Sequence, residues 1–192
     1  SLLAAHAAVA DFVVEAARDA RVDAVVLAGD LYDRALPPVD AVQLAGETLP
    51  RLAEVADVVV LPGNHDSPGR LGFGASLLER ARLHLRCDVA RCGEPVAVGD
   101  GLVFALPYLE PDLVRGPLGV EERSHPAVVG AAMDAVRATL AARGAGVPVA
   151  VAAHAFVAGG VVSESERDLA LGGASAVGPA AFAGADYVAL GH

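Results

Sequence analysis

The chain of 192 residues contains no tryptophan and no lysine, and it has only two cysteines, Cys87 and Cys92. Two cysteines are too few for a disulfide-rich scaffold, so we expect both to be free thiols in a cytoplasmic protein. No apolar run approaches the roughly 18 uninterrupted residues that a membrane-spanning helix needs. With 54% hydrophobic and 20% charged residues, the chain can instead bury one substantial core.

Positive charge is also scarce. All 14 basic residues are arginines, and 24 acidic residues give the chain a net charge of −10. Taken alone, this balance counts against a DNA-binding surface, because contacts with phosphates dominate the affinity of proteins for duplexes. Divalent ions bound at a site would add positive charge where a phosphate has to lie. The acidity therefore weakens the case for a nucleic-acid substrate without excluding it.

The apolar residues form strand-like runs that alternate with helical patterns. Helices are predicted at about 2–20, 39–56 and 124–144, and we expect Pro50 to kink or split the second of them. Ser124 is expected to cap the third helix. Strands are predicted at 23–28, 57–60, 147–153 and 185–190. The alternation of strands and helices indicates an α/β fold, and no linker divides the chain into domains.

Each predicted strand is followed by, or ends in, a side chain that can bind a metal ion. These side chains are Asp30, Asn64, His154 and His192. Because the carboxyl ends of parallel strands meet at one edge of an open α/β sheet, we expect the four to converge. A carboxylate, an amide and two imidazoles suit manganese, iron or zinc, whereas calcium prefers oxygen ligands alone.

The run Leu-Pro-Gly-Asn-His-Asp at 61–66 adds further chemistry at that edge. Gly63 lets the backbone turn sharply after the strand, so that Asn64 and His65 are presented side by side. Asn64 offers an amide oxygen to a hard cation, and His65 can transfer a proton to a leaving group. Glycine and asparagine are also ordinary turn residues, so this run alone leaves a plain turn open.

Four motifs occur in an order that resembles the calcineurin-like metallophosphoesterases. They are Gly-Asp-x-x-Asp-Arg at 29–34, Gly-Asn-His-Asp at 63–66, a lone histidine at 154 and Gly-His at 191–192. Within that superfamily, the segments that resemble the SbcD family of bacterial nucleases are 28–38, 70–74 and 186–192. The resemblance implies a four-layer α/β/β/α sandwich in which two mixed sheets lie between helices.

Two departures from the family pattern predict that the chain is an internal fragment, incomplete at both ends. The family's first motif, Asp-x-His, belongs on a strand ahead of the helix that begins near Leu2. The last motif stops at His192, before its second histidine. We therefore expect 1–192 to be a metallophosphoesterase (nuclease) domain that lacks its first strand and its C-terminal part. This fragment alone is expected to be inactive.

The resemblance also implies a site for two divalent ions, with Mn²⁺ as the expected metal. Asp30 would bridge the two ions. The remaining ligands of one ion would be Asn64, His154 and His192. The other ion would keep only Asp30 from this chain, which is why the fragment is expected to lack activity.

Beside the ligands, the resemblance gives His65 a catalytic role, in which it stabilises the transition state or protonates the leaving oxygen. Asp33 would hold His65 in the correct tautomer, with an ordinary turn-capping aspartate as the alternative. Asp66 is expected to lie behind the ligands, and Arg34 is expected in solvent, with a contact to substrate phosphate as the alternative.

Three further polar features carry no ligand pattern of their own. His84 and His125 are both expected to be structural. The segment Ser-Glu-Ser-Glu-Arg-Asp at 163–168 is interpreted as an exposed polar loop, and the resemblance puts it near the substrate groove.

By resemblance, the chain would belong to a metal-dependent DNA nuclease of repair, recombination and replication, an exonuclease on double strands and an endonuclease on single strands. Its partners would be DNA and an SbcC-like ATPase, in a heterotetramer that contains a homodimer of this subunit. Two alternatives stay open. One is another phosphoesterase of the same fold, either a cyclic-nucleotide phosphodiesterase or a phosphatase. The other is a non-catalytic scaffold, against which the intact set of site residues argues.

Overall fold

A computed structural model describes residues 2–144, 146–158 and 176–192 of the chain. Among these residues the strands form two sheets, one in the order β1-β2-β3 and one in the order β4-β5-β6-β7. The strands of the first sheet are β1 (Ala24–Ala28), β2 (Asp57–Leu61) and β3 (Leu83–Leu85). The strands of the second are β4 (Val96–Val98), β5 (Gly101–Leu106), β6 (Val149–His154) and β7 (Tyr187–Gly191).

Parallel pairing dominates both sheets. The neighbours β1, β2 and β3 pair in parallel, as do β5, β6 and β7. Only β4 runs antiparallel to its neighbour, which makes the second sheet mixed and leaves the first sheet parallel throughout its described strands. The expectation of two mixed sheets is therefore met in one of them.

Helices cover the outer faces of the two sheets. The long helices are α1 (Leu2–Ala20), α2 (Val39–Val55) and α6 (His125–Arg143). The short ones are α3 (Pro68–Leu71), α4 (Ala75–Leu78) and α5 (Pro111–Val114). The second long helix runs through Pro50 without a break, so the expected split does not occur. The hydroxyl oxygen of Ser124 accepts a hydrogen bond from Ala127 N–H at 3.2 Å, which confirms the cap on α6.

Alternation along the strands divides the core into three layers. On β2, Val58 and Val60 face α1 and α2, whereas Val59 and Leu61 face the second sheet. On β5, Phe104 packs beneath α6, and its neighbours in sequence turn to the first sheet. Side chains of a strand point to opposite faces in turn, so buried strands between two covered faces become apolar throughout. The order helix, sheet, sheet, helix confirms the expected α/β/β/α sandwich.

The topology brings the ends of four strands to one place. The strands β1 and β2 are parallel neighbours in one sheet, and β6 and β7 are parallel neighbours in the other. Where β1 and β7 meet, a Cβ atom on Gly191 would lie 1.8 Å from the carbonyl oxygen of Ala28. The backbones of the two sheets therefore come close together at the edge where the predicted site residues lie.

The core layer beneath α6 gives a direct test of the packing. Phe104 is fully buried there, so Phe104→Ala is predicted to lower the free energy of unfolding by about 3–5 kcal/mol. Phe12→Ala is the matched control, because Phe12 is 70% exposed on α1 and should change stability by only about 0.5 kcal/mol or less. Urea unfolding of both variants measures this, and equal stabilities would contradict the layer assignment.

Candidate metal centre

Four polar side chains converge where the strands end. Oxygen and nitrogen atoms of Asp30, His154 and His192 lie within 4.8 Å of one another. The amide oxygen of Asn64 is 3.0 Å from His154 Nε2 and 3.0 Å from His192 Nδ1. The structure thus brings together the four side chains that the sequence predicted to converge. Their role as metal ligands stays a prediction.

The protonation of His154 decides what this cluster can bind. Its Nδ1 lies 2.8 Å from the carbonyl oxygen of Ala28, and because a carbonyl only accepts, Nδ1 carries the proton. In the neutral ring, Nε2 then presents a lone pair towards the Asn64 oxygen and towards Asp30 Oδ2 at 3.4 Å. Both of those oxygens are acceptors as well. Facing lone pairs repel one another unless a second proton or a cation lies among them.

The donor set fits a divalent ion. A carboxylate oxygen, an amide oxygen and two imidazole nitrogens suit manganese, iron or zinc. His154 is also held in the way that metal-binding histidines are usually held, because its second ring nitrogen donates to a backbone carbonyl. Burial of His154 keeps water from competing for that hydrogen bond. Asp30, Asn64, His154 and His192 would therefore hold one such ion.

Two glycines make room for the cluster. A Cβ atom on Gly29 would lie 2.0 Å from His154 Nδ1, and one on Gly63 would lie 2.0 Å from Asp30 Oδ1. Gly29 also has a φ of +97°, and Asp30, which follows it, has a φ of +52°. Any side chain at Gly63 would displace the carboxylate of Asp30, and a β-carbon at Gly29 would displace the imidazole.

Asp66 ties the first two ligand loops together. It is buried, and its Oδ2 accepts hydrogen bonds from Gly63 N–H at 2.9 Å and Leu31 N–H at 3.1 Å. Its Oδ1 accepts from Tyr32 N–H at 3.0 Å. A carboxylate that accepts three backbone donors joins the loop after β1 to the loop after β2. This contact accounts for the acidic fourth residue of the Gly-Asn-His-Asp motif.

His65 stands beside the cluster with one ring nitrogen engaged. Its Nδ1 lies 2.9 Å from the carbonyl oxygen of Asp33, so Nδ1–H donates and Nε2 is left for other partners. The backbone N–H of His65 donates to Asp30 Oδ1 at 3.0 Å. The Asp33 carbonyl thus orients the exposed imidazole, and the Asp30 carboxylate fixes the backbone that carries it.

The contact between Asp33 and His65 is made by the backbone of Asp33. Asp33 was expected to hold His65 in one tautomer, and its carbonyl oxygen does contact His65 Nδ1, while its role in catalysis stays a prediction. The carboxylate is 80% exposed and pairs with Arg34 at 3.2 Å, in solvent as expected for Arg34. The loop bends so that the carbonyl faces inward, and an arginine next in sequence gives the side chain an outside partner.

Comparison with known proteins agrees with this geometry. The model of the calcineurin-like phosphoesterase family matches residues 4–192. The chain belongs to that family. It is 30% identical over 197 residues to the SbcD subunit of the nuclease SbcCD from Staphylococcus saprophyticus, an alignment that covers 100% of this chain and 51% of that relative. The chain thus spans about half the length of the curated relative it matches.

Family membership gives the cluster its chemical context. Calcineurin-like phosphoesterases are metal-dependent hydrolases of phosphate esters, and the ligand cluster of this member fits that requirement.

Among the described helices, none is long and apolar enough to cross a membrane.

Tyr108 is a residue beside the ligand cluster that the sequence did not predict. Its ring stacks on His192 with the ring centres 6.4 Å apart and meets His154 edge-on at 6.1 Å. Its N–H donates to the carbonyl oxygen of Pro62 at 2.9 Å. Burial raises the pKa of Tyr108 to about 12, with the Glu110 carboxylate adding to the effect. The sequence does carry one signal for it, because Tyr108 comes just after the apolar run of β5. That run was overlooked because no metal-binding residue stands at its end.

Other sequence expectations have mixed outcomes. His84 contacts Asp57 at 2.8 Å and belongs to the first sheet, as a structural histidine should. The ring centre of His125 lies 5.6 Å from that of Tyr108, and its structural role stays a prediction. Cys87 and Cys92 are free thiols, as expected, and burial raises their pKa values to about 11 and about 12. The segment 163–168 lies outside the described residues.

The space beside Asp30 provides a prediction for metal binding. Gly63→Ala should move the Asp30 carboxylate and weaken Mn²⁺ binding to the full-length gene product by about 10- to 100-fold. Gly46→Ala is the control, because a Cβ atom there, within α2, meets no atom within 4 Å. Titration of Mn²⁺ followed by the EPR signal of the free ion measures both variants. Wild-type affinity in Gly63→Ala would show that Asp30 is not a ligand.

Proposed function

We propose that this chain is the catalytic part of a metal-dependent DNA nuclease of the SbcD type. The observation that carries the proposal is the cluster of four potential ligand side chains at the strand ends, with the exposed imidazole of His65 beside it. Identity to an SbcCD nuclease subunit along the whole chain supports the choice of DNA as substrate.

The proposed cofactors are two divalent ions, with Mn²⁺ as the preferred metal. Asp30, Asn64, His154 and His192 would hold one ion, and Asp30 would also contact the second. When bound, such ions polarise a phosphate ester and lower the pKa of water. The net charge of −10 makes this local positive charge necessary for a phosphate to enter the site.

In this proposal His65 acts on the oxygen that leaves the phosphorus. Its Nδ1–H is held by the Asp33 carbonyl, so Nε2 carries a proton only when the ring is the imidazolium; that form would give its Nε2 proton to the leaving oxygen and return to the neutral ring with Nδ1 still protonated. Asp33 is then a positioning residue that acts through its backbone. The hydrogen bond from His65 N–H to Asp30 Oδ1 sets the distance between the proton donor and the metal ligands.

The proposed assembly contains DNA, an SbcC-like ATPase and a second copy of this chain. We propose that it serves DNA repair and recombination in the cytoplasm.

A surface suited to protein contact lies beside the site. It is a groove of about 400 Å³ between the loop after β1, α2 and the α3–α4 segment. Exposed apolar side chains at or next to it are Leu36, Val39, Val42, Phe73 and Leu77. Exposed apolar groups of this kind commonly mark protein interfaces.

Substitution of the imidazole separates catalysis from metal binding. In the full-length gene product, His65→Ala is predicted to reduce cleavage of a linear duplex by about 100-fold or more, because the proton donor is lost. Mn²⁺ affinity should stay within about threefold of wild type, whereas Asn64→Ala should weaken it by about 10- to 100-fold. Gel-based cleavage assays and metal titrations measure the two quantities. Undiminished cleavage by His65→Ala would remove His65 from the mechanism.

The substrate class is tested by comparing the rates at which the protein hydrolyses different kinds of phosphate ester. With Mn²⁺, the full-length gene product should cleave single- and double-stranded DNA and be at least about 100-fold slower in kcat/KM on 3′,5′-cyclic AMP and on a phosphopeptide. A preference for cyclic AMP or the phosphopeptide would assign the chain to another phosphoesterase activity of the same fold. Complete inactivity on all of them with Mn²⁺ bound would favour the scaffold.

A further inference from the structure

Aromatic rings are scarce in this chain, yet several of them collect at the metal centre. The sequence has five phenylalanines, three tyrosines and no tryptophan. Tyr108 and Phe156 each have a ring centre 6.4 Å from that of His192. His125 lies 5.6 Å from Tyr108, which extends the group of rings. The proposed hydrolytic mechanism uses His192 but none of the other three residues, Tyr108, Phe156 and His125.

Tyr108 and Phe156 are placed differently. Tyr108 is part of the structure of the site, because its ring stacks on His192 at an interplanar angle of 25° and its N–H donates to Pro62. Phe156 lies two residues after His154, meets His192 at 81°, and keeps 42% of its surface exposed. An apolar ring that remains this exposed beside polar ligands contributes little to folding and is available to a ligand.

The charge of the chain makes a non-electrostatic contact with substrate valuable. A net charge of −10 repels a polyanion, and bound ions compensate only at the phosphate that they contact. Arg34, which follows the Asp30 motif, is already paired with Asp33. Aromatic side chains hold single-stranded nucleic acids by stacking on bases, a contact that needs no charge.

We propose that Phe156 is a base-stacking residue that determines substrate specificity. A base is joined to its phosphate through a single sugar, so a nucleotide whose phosphate lies at the metal ligands has its base within reach of a ring beside His192. The base stacks on the exposed ring of Phe156, while Tyr108 keeps His192 in place. This inference rests on the proposed function, because it requires a nucleic acid as substrate.

The test uses single-stranded oligonucleotides that contain one cleavable phosphodiester. In one series both flanking nucleotides carry bases, and in two others one of them is replaced by an abasic sugar. With Mn²⁺ and the full-length gene product, Phe156→Ala is expected to lower kcat/KM on the base-bearing oligonucleotide by about 5- to 150-fold, mainly through KM. On the abasic oligonucleotide that lacks the stacked base, the variant and the unaltered protein should have equal kcat/KM.

Two further variants separate stacking from other effects. Phe156→Trp should retain the preference for the base-bearing substrate, because it offers a larger ring. Phe12→Ala removes a more exposed phenylalanine from α1 and should leave all rates unchanged. Thermal unfolding of Phe156→Ala should match that of the unaltered protein.

Each other outcome overturns the inference in a recognisable way. Equal losses on base-bearing and abasic oligonucleotides would show that Phe156 supports the site structurally. An unaltered protein that cleaves all the oligonucleotides at the same rate would overturn the stacking role and leave the proposed nuclease function standing. Hydrolysis of a phosphopeptide without cleavage of any oligonucleotide would overturn both.

Discussion

The structure depends on the close approach of acceptor atoms that repel one another. Asp30, Asn64 and His154 point oxygen and nitrogen lone pairs into one small volume, because the Ala28 carbonyl takes the only proton of the neutral His154 ring. Such an arrangement is unfavourable unless a cation lies among these atoms or a proton does, for example on His192 Nδ1, which is 3.0 Å from the Asn64 oxygen and 3.2 Å from His154 Nε2. The fold keeps these atoms together because their residues directly follow or end strands of the sheets. Asp66 adds to this, since its carboxylate accepts hydrogen bonds from the loop after β1 and the loop after β2.

Glycine is the residue that makes this approach possible. The motifs Gly-Asp, Gly-Asn and Gly-His each place a glycine directly before a polar site residue, and a Cβ atom on any of the three would lie within about 2 Å of another atom. The glycines therefore act as a steric requirement of the site and not merely as turn formers. The same closeness joins β1 to β7 and so connects the two sheets of the sandwich.

The sequence predicted the parts of this arrangement that follow from strand order and chemistry. Continuous apolar runs identified four parallel strands, and residue types at their ends identified four side chains as neighbours in space, namely Asp30, Asn64, His154 and His192. The contact from the Asp33 carbonyl could not be predicted, because a backbone group has no sequence signature. Tyr108 escaped notice because β5 pairs between β4 and β6 and ends without a metal-binding side chain. Pro50 was expected to kink or split α2, and the split does not occur, since the helix continues from Val39 to Val55.

The central claim is that the facing acceptors form a divalent metal site, and pulsed EPR of Mn²⁺ tests it most directly. With one equivalent of Mn²⁺ bound to the full-length gene product, the account predicts hyperfine coupling to two imidazole nitrogens, from His154 and His192. Substitution of His154 by alanine should remove one of the two couplings. A bound Mn²⁺ without nitrogen coupling, or with the same couplings after that substitution, would contradict the claim.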